Sequence, residues 1–367
     1  MKTYPLTSMS LEEAQHRQFR LIDCITREFR GSEILSRGDL GVVPGIGKPE
    51  TTNKVEKVIA KFFEAESCML VRGAGSGAIR LGLHAMAKAG GKILVHKAPI
   101  YPTTKVSMDM MKLDFVEADF NQVQDVKEIL ANDLAIKMAL VQYTRQQPED
   151  SYDMLAVVEA IKSTRDIPVL TDDNYAVMKV DNIGVQCGAN LSCFSSFKLL
   201  GPEGVGIIVG QKKYLDDLKK ENYSGGLQVQ GHEALEVLQG LIYAPVALAI
   251  QAKVGEECLH RLNNGEIPQV KQAFLANAQS KIILVEFQEE IAEQVLIEAE
   301  QLGAAPNPVG AESKYEFVPM FYRISGTFRE MDASLEKRMI RINPMRSGAD
   351  TVMRIIKEAI ERVNVCF

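Results

Sequence analysis

Hydrophobic residues recur along this chain at two spacings, and which spacing rules depends on position. From 11 to 30, Leu11, Ala14, Phe19, Leu21 and Ile22 gather on one side of a helical wheel, which predicts a helix. The following GDLGVVPGIGKPETTN is rich in Gly and Pro and is expected to be loop. Helical period returns in VEKVIAKFFEAE. Beyond it CMLV, KILVH, LDFVEA, MALVQY, IPVLTDD, NLSCFS and VGIIVG read as short buried strands. Between them SGAIRLGLHAMAKAG (stopping at Gly90–Gly91), TTKVSMDMMK, VQDVKEILAN and DMLAVVEAIKST read as helices. This alternation predicts an α/β domain: a mainly parallel seven-stranded sheet flanked by helices. The pattern then changes. Glu233–Val254 is one long helical stretch. KIILVEF, FVPMFYRI and RMIRIN are strands separated by helices over Glu289–Leu302 and Ala349–Val363. The expected organisation is an N-terminal arm (1–50) belonging to a small domain, a large domain (51–235), and a smaller α+β domain (236–367).

Composition narrows the class without naming a function. The 367 residues are 46% hydrophobic and 25% charged, with net charge −6. No basic excess suggests nucleic acid, and no polybasic block suggests a membrane surface. No apolar run is expected to reach the roughly 18 residues of a membrane span, and the N-terminus lacks the apolar core of a signal peptide. The six cysteines (Cys24, Cys68, Cys187, Cys193, Cys258, Cys366) form no CxxC pair, which predicts reduced thiols and a cytoplasmic protein. No His/Cys cluster has the spacing of a zinc site.

In an open α/β sheet, ligands bind beyond the carboxyl ends of the strands. Four strand ends carry candidate chemistry. The first is RGAGSGAIR, where Gly73, Gly75 and Gly77 let the backbone approach closely as a helix begins, a seat for an anion such as phosphate. The third glycine comes one position early for a dinucleotide fingerprint, and LVHK offers no acid for a ribose. The second is HKAPIYPTT, where Tyr101, between two prolines, can lie flat on a ring, with His96 competing for that role. The third is VLTDDNYAV. Neighbours on extended chain face opposite ways, so Asp172 is assigned to a cationic ligand atom and Asp173 points elsewhere. The fourth is SCFSSFKLLGPEGVG, where Lys198 sits among small and apolar residues. Such a lysine has a depressed pKa and is available as a nucleophile toward carbonyls.

A phosphate seat, a flat aromatic, a carboxylate and a neutral lysine, in that order, suit pyridoxal 5′-phosphate (PLP). The carboxylate keeps the ring nitrogen protonated, and the lysine condenses with the aldehyde. With these motifs the sequence resembles the fold-type I PLP-dependent enzymes, the aspartate-aminotransferase superfamily. TDDNYAV is similar to the D-E-A-Y segment of that group, which implies Asp172 on the pyridine nitrogen and Tyr175 near the ring hydroxyl. SSFKLLGPEGVG is similar to its lysine segment, implying Lys198 as the Schiff-base residue and Ser195 or Ser196 on the phosphate. APIYPTT matches the loop whose tyrosine stacks on the cofactor, and GAGSGAIR takes the place of the phosphate loop, implying contacts from Gly75, Ser76 and Gly77. MIRINPMRSGADTVMRIIKEAI resembles the strand and helix that carry the substrate-carboxylate arginine. Arg341 is the first choice and Arg346 the alternative, either able to grip a carboxylate bidentately.

The resemblance implies an enzyme acting on an amino acid or small amine, foremost an aminotransferase, working as a homodimer with shared active sites. GIGKPETTNKVEKVIAKFF and LVRGAGSGAIRLGL are similar to the Cys/Met-metabolism and selenocysteine-synthase-like groups, so a lyase or side-chain replacement enzyme is the alternative. In Cys/Met-metabolism enzymes a Tyr and an Arg of the N-terminal arm reach the partner's phosphate. Here Gly45–Asn53 has Lys48, Thr51 and Thr52 but neither Tyr nor Arg, which weighs against γ-elimination. A Rossmann oxidoreductase is a remoter reading, as is a binding protein that has kept the fold without catalysis.

Overall fold

The computed structural model describes residues 2–87, 91–277, 281–310 and 312–365. The chain divides into two compact units, one of Glu12–Thr144 and Ser151–Pro245, the other of Met1–Leu11, Arg145–Asp150 and Val246–Phe367. Only the first residues of the expected arm group with the C-terminal part, and the division falls after Pro245 rather than 235. Both positions lie inside a single helix that runs unbroken from Gly231 to Asn263, through Pro245, so no loop marks the boundary.

Among the described residues, the larger unit is built on a seven-stranded sheet. Its strands are β1 (Ser67–Arg72), β2 (Lys92–His96), β3 (Asp114–Ala118), β4 (Ile136–Gln142), β5 (Val169–Asp172), β6 (Leu191–Ser195) and β7 (Val205–Gly210). Their order is β1-β7-β6-β5-β4-β2-β3, with β7 antiparallel to both neighbours. The carboxyl ends of the other six therefore share one edge. Alternation along each strand feeds both faces: Ile93, Val95, Leu170 and Cys193 enter one apolar cluster, Leu94, Val141 and Val169 the opposite one. Each such fully buried side chain contributes about 1.5–3 kcal/mol. The longer helices are α1 (Leu11–Glu28), α2 (Glu50–Phe62), α3 (Ala74–Met86), α4 (Pro102–Met110), α5 (Val123–Asn132), α6 (Met154–Thr164), α7 (Lys212–Glu221) and α8 (Gly231–Asn263).

Several details depart from the sequence pattern. The Gly/Pro stretch read as loop ends early, because α2 starts at Glu50. Asp39 caps it from a distance, its carboxylate accepting from the Glu50 and Thr51 amides (2.7 and 3.0 Å). Helix α3 stops at Met86; of the expected Gly90–Gly91 stop, Gly90 lies outside the described residues, as does Cys366. The highly charged α7 buries Leu215 and Leu218 but was not expected from the pattern. By length and composition alone α8 is apolar enough to cross a membrane, contrary to expectation, although 56% of its apolar window is buried inside the protein.

The smaller unit has a four-stranded antiparallel sheet of β8 (Val270–Leu275), β9 (Ile283–Phe287), β10 (Met320–Arg323) and β11 (Met339–Asn343), in the order β10-β11-β9-β8. Helices α9 (Ala292–Gln301) and α10 (Ala349–Val365) belong to it, and Val295, Val352 and Ile356 join Val285, Phe287, Ile340 and Ile342 in one core.

Candidate active site

The four predicted strand ends lie along the carboxyl edge of the large sheet. At the end of β1, Gly73 adopts φ +93° and starts α3. The turn is closed from β7's side, since the Gly73 and Ala74 amides donate to Gly204 O (2.8 and 3.1 Å). A Cβ at Gly77 would lie 2.1 Å from Arg72 O, and one at Gly206 2.1 Å from Ala74 O, so only glycine permits this close packing. Gly77 N donates to Gly73 O, leaving the Gly75 and Ser76 amides as the unclaimed donors of the first turn among the described residues. Ser76 Oγ lies 3.0 Å from Thr103 Oγ1, which joins the starts of α3 and α4. Tyr101 precedes α4, half-exposed, and Pro102 supplies the first helical residue. His96 has a separate role: its Nδ1 accepts from Phe120 N (3.1 Å) and its ring packs on Phe120 and Tyr152.

Asp172 ends β5, paired with Gln142 of β4 and Cys193 of β6. Burial pushes its carboxyl above the usual carboxylate range, while the Lys198 charge and hydrogen bonds from Asn174 pull the other way. Asp173 faces elsewhere: its Oδ2 accepts from Gly184 N (3.0 Å), and burial pushes its carboxyl up to about 7. Tyr175 follows at φ +65°. Lys198 lies on a single 3-10 turn after β6, half-buried beside the fully enclosed Leu199, with Nζ 4.0 Å from the Tyr175 ring centroid. The buried Lys179 approaches the same ring at 5.6 Å. Ser196 Oγ donates into the turn that follows, toward Pro202 O and Val205 O, whereas Ser195 sits at the strand end with its amide on Asn174 Oδ1. Helix α8 closes on the lysine turn at Gly240, where a Cβ would come 2.5 Å from Gly201 N.

In the smaller unit the two arginines differ. Arg341 stands opposite Tyr322 across β10 and β11, with its guanidinium over that ring (4.2 Å) and Nε donating to Arg323 O. Arg346 Nη1 donates to Gln251 Oε1 (2.7 Å), Gln251 donates to Glu312 (3.0 Å), and among the described residues Arg346 Nη2 is buried without a partner. An orphaned, enclosed guanidinium donor is a costly group that an anionic ligand would satisfy. In the stretch Gly45–Asn53, Lys48 and Thr52 are committed internally. Lys48 Nζ holds both Glu56 carboxylate oxygens at 2.7 Å in a buried pair, and Thr52 Oγ1 donates to Val229 O (2.7 Å).

Sheet topology, a glycine-built anion seat and a lysine beside a buried aspartate define a protein of the fold-type I PLP-dependent class. The chain belongs to the class-V aminotransferase family, whose profile matches residues 48–238; residues 256–356 match the YhfS-like C-terminal domain. It is 53% identical to protein YhfS of Escherichia coli over 363 residues, covering 99% of this chain and 100% of that one. The crystal structure of YhfS, described as pyridoxal-5′-phosphate dependent, superposes with a TM-score of 0.97, 52% identity and coverage of 99% and 100%. The fold alone is shared with a methionine gamma lyase from Micromonospora echinospora (TM-score 0.72, 14% identity, coverage 94% and 98%). A carbon-sulfur lyase from Clostridium novyi is similar to the same degree (TM-score 0.70, 16% identity, coverage 96% and 91%).

Proposed function

We propose that this chain is an aminotransferase that uses PLP to act on an amino acid or small amine. The observation that carries the proposal is the meeting of Lys198, Tyr175 and the buried Asp172 at the ends of the adjacent strands β5 and β6. The residues present fit the cofactor: the unclaimed Gly75 and Ser76 amides suit its phosphate, and a buried acid suits its ring nitrogen. When bound, PLP supplies an aldehyde for the substrate amine and a ring that accepts electrons from the α-carbon.

The chain's own groups divide the remaining work. The first turn of α3 would hold the phosphate through the Gly75 and Ser76 amides and the helix dipole, with Gly77, whose own amide is on Gly73 O, keeping the turn tight. Ser195 adds its hydroxyl there, since that of Ser196 is engaged in the turn. Tyr101 would cover the ring face. Asp172 would hold a proton on the ring nitrogen, and Tyr175 would serve the ring hydroxyl. Lys198 would anchor the cofactor through its amine and, once free of it, would serve as the base and acid that moves a proton at the substrate's α-carbon. Arg346, rather than Arg341, receives the substrate carboxylate, because it keeps an unsatisfied donor.

A lyase or replacement reaction begins with the same residues and is the second reading, supported by the lyase folds. The internal commitment of Lys48 and Thr52 favours the first, since neither side chain is released to reach another phosphate. Five buried free thiols among the described residues fit a reducing compartment such as the cytoplasm. A screen of amino donors tests the reading. Conversion of the bound cofactor to its pyridoxamine form is expected; release of ammonia and pyruvate without that form would overturn transamination in favour of a lyase.

A further inference from the structure

We infer that Asn174 is a positioning residue that fixes the Asp172 carboxylate for the cofactor's ring nitrogen and locks together three stations of the site. Its side-chain Nδ2 and its own amide both donate to Asp172 Oδ1, at 2.7 and 3.1 Å. Both bonds fall on one oxygen, Oδ1. The carboxylate is thereby clamped by one edge and presents the other. The acceptor end of the same amide is also used: Asn174 Oδ1 takes the Ser195 amide (3.1 Å), tying the end of β5 to the end of β6 just before the lysine turn. The third tie is steric. A Cβ at Gly75 would lie 2.8 Å from both Asn174 Nδ2 and Oδ1, so the glycine of the anion seat packs directly on this amide. Thr144 Oγ1 holds the Asn174 carbonyl (2.8 Å) and fixes the turn itself.

Asparagine is the side chain whose geometry answers both demands. It donates toward a carboxylate and accepts from a backbone amide, which neither Asp nor Leu of similar size can do. Its bonds favour the charged form of Asp172, against burial. The other groups facing Asp172 are Lys198, which also favours the anion, and Asp173 and Cys193, whose charged forms would oppose it.

The inference rests on PLP binding at Asp172, and the test separates the two. PLP is titrated into the full-length apo protein from pH 5 to 9 for the wild type, Asn174→Asp and Asn174→Ser, with apo thermal midpoints measured in parallel. Asn174→Asp keeps the acceptor for Ser195 and loses the donor to Asp172. It is expected to weaken PLP binding about tenfold or more and to move the acid limb of the affinity profile to higher pH. Asn174→Ser, which cannot reach both partners, is expected to do the same and serves if the aspartate variant fails to fold. Wild-type affinity and an unmoved acid limb in a folded variant would overturn the inference. So would weaker binding with the acid limb unmoved, which marks a purely structural role. A wild type that takes up no PLP at any pH would sink the underlying reading and this inference with it.

Discussion

Burial acts on the adjacent carboxyls of Asp172 and Asp173 in the same direction, but the two face different partners. Asp172 has a lysine charge and an amide clamp. Asp173 has hydroxyls and one backbone amide. Its folded value of about 7 lies above the ordinary 3.8, so the folded apo protein holds this proton more tightly than the unfolded chain. The associated stability is present at low pH and is lost as pH rises from about 4 through about 7. Asp173→Asn should flatten that part of the apo stability profile, read from urea midpoints at pH 5 and pH 8. An unchanged slope would show that the carboxyl is not the source. Lys198 and Asp172 were legible in the sequence because each ends an apolar run with a group that is costly to bury. Asn174 was not, because a side chain that contacts only other protein groups leaves no such contrast. Nor could sequence separate Arg341 from Arg346: that difference is made by Tyr322 across the sheet and Gln251 from a distant helix.

Among elements, glycines set how closely the helices approach the site. Gly240 of α8 meets Leu199 O and Gly201 N, so a methyl group there must displace the lysine turn. Gly240→Ala is expected to destabilise by about 1–3 kcal/mol and to lower turnover by disturbing Lys198, despite the higher helix propensity of alanine. Gly255 lies in the same helix with nothing within 4 Å of an added Cβ. There the same change should stabilise by about 0.5–1 kcal/mol. Denaturation midpoints and kcat for the two variants check the contrast, and equal effects would contradict it. Strands β1 to β7 were readable because they are short, apolar and bounded by turn residues. Strand β8 was not, since Lys271 and Gln272 interrupt its pattern and only pairing with β9 makes it a strand. Helix α2 was read late because its cap, Asp39, comes from eleven residues away.

At the scale of the whole molecule, the similarity to YhfS runs the length of both chains, whereas the lyases share only the fold. The homodimer remains a proposal, supported by exposed apolar residues in the larger unit: Phe19, Leu35, Leu40, Val42, Leu227 and Tyr243. Sedimentation should give twice the 40.6 kDa chain mass, and a monomer under active conditions would contradict it. The central claim is that Lys198 carries the cofactor. Borohydride reduction of the purified yellow protein, followed by peptide mass mapping, tests it most directly. The cofactor's added mass is expected on the peptide containing Lys198; finding it on another lysine, or on none, would contradict that role.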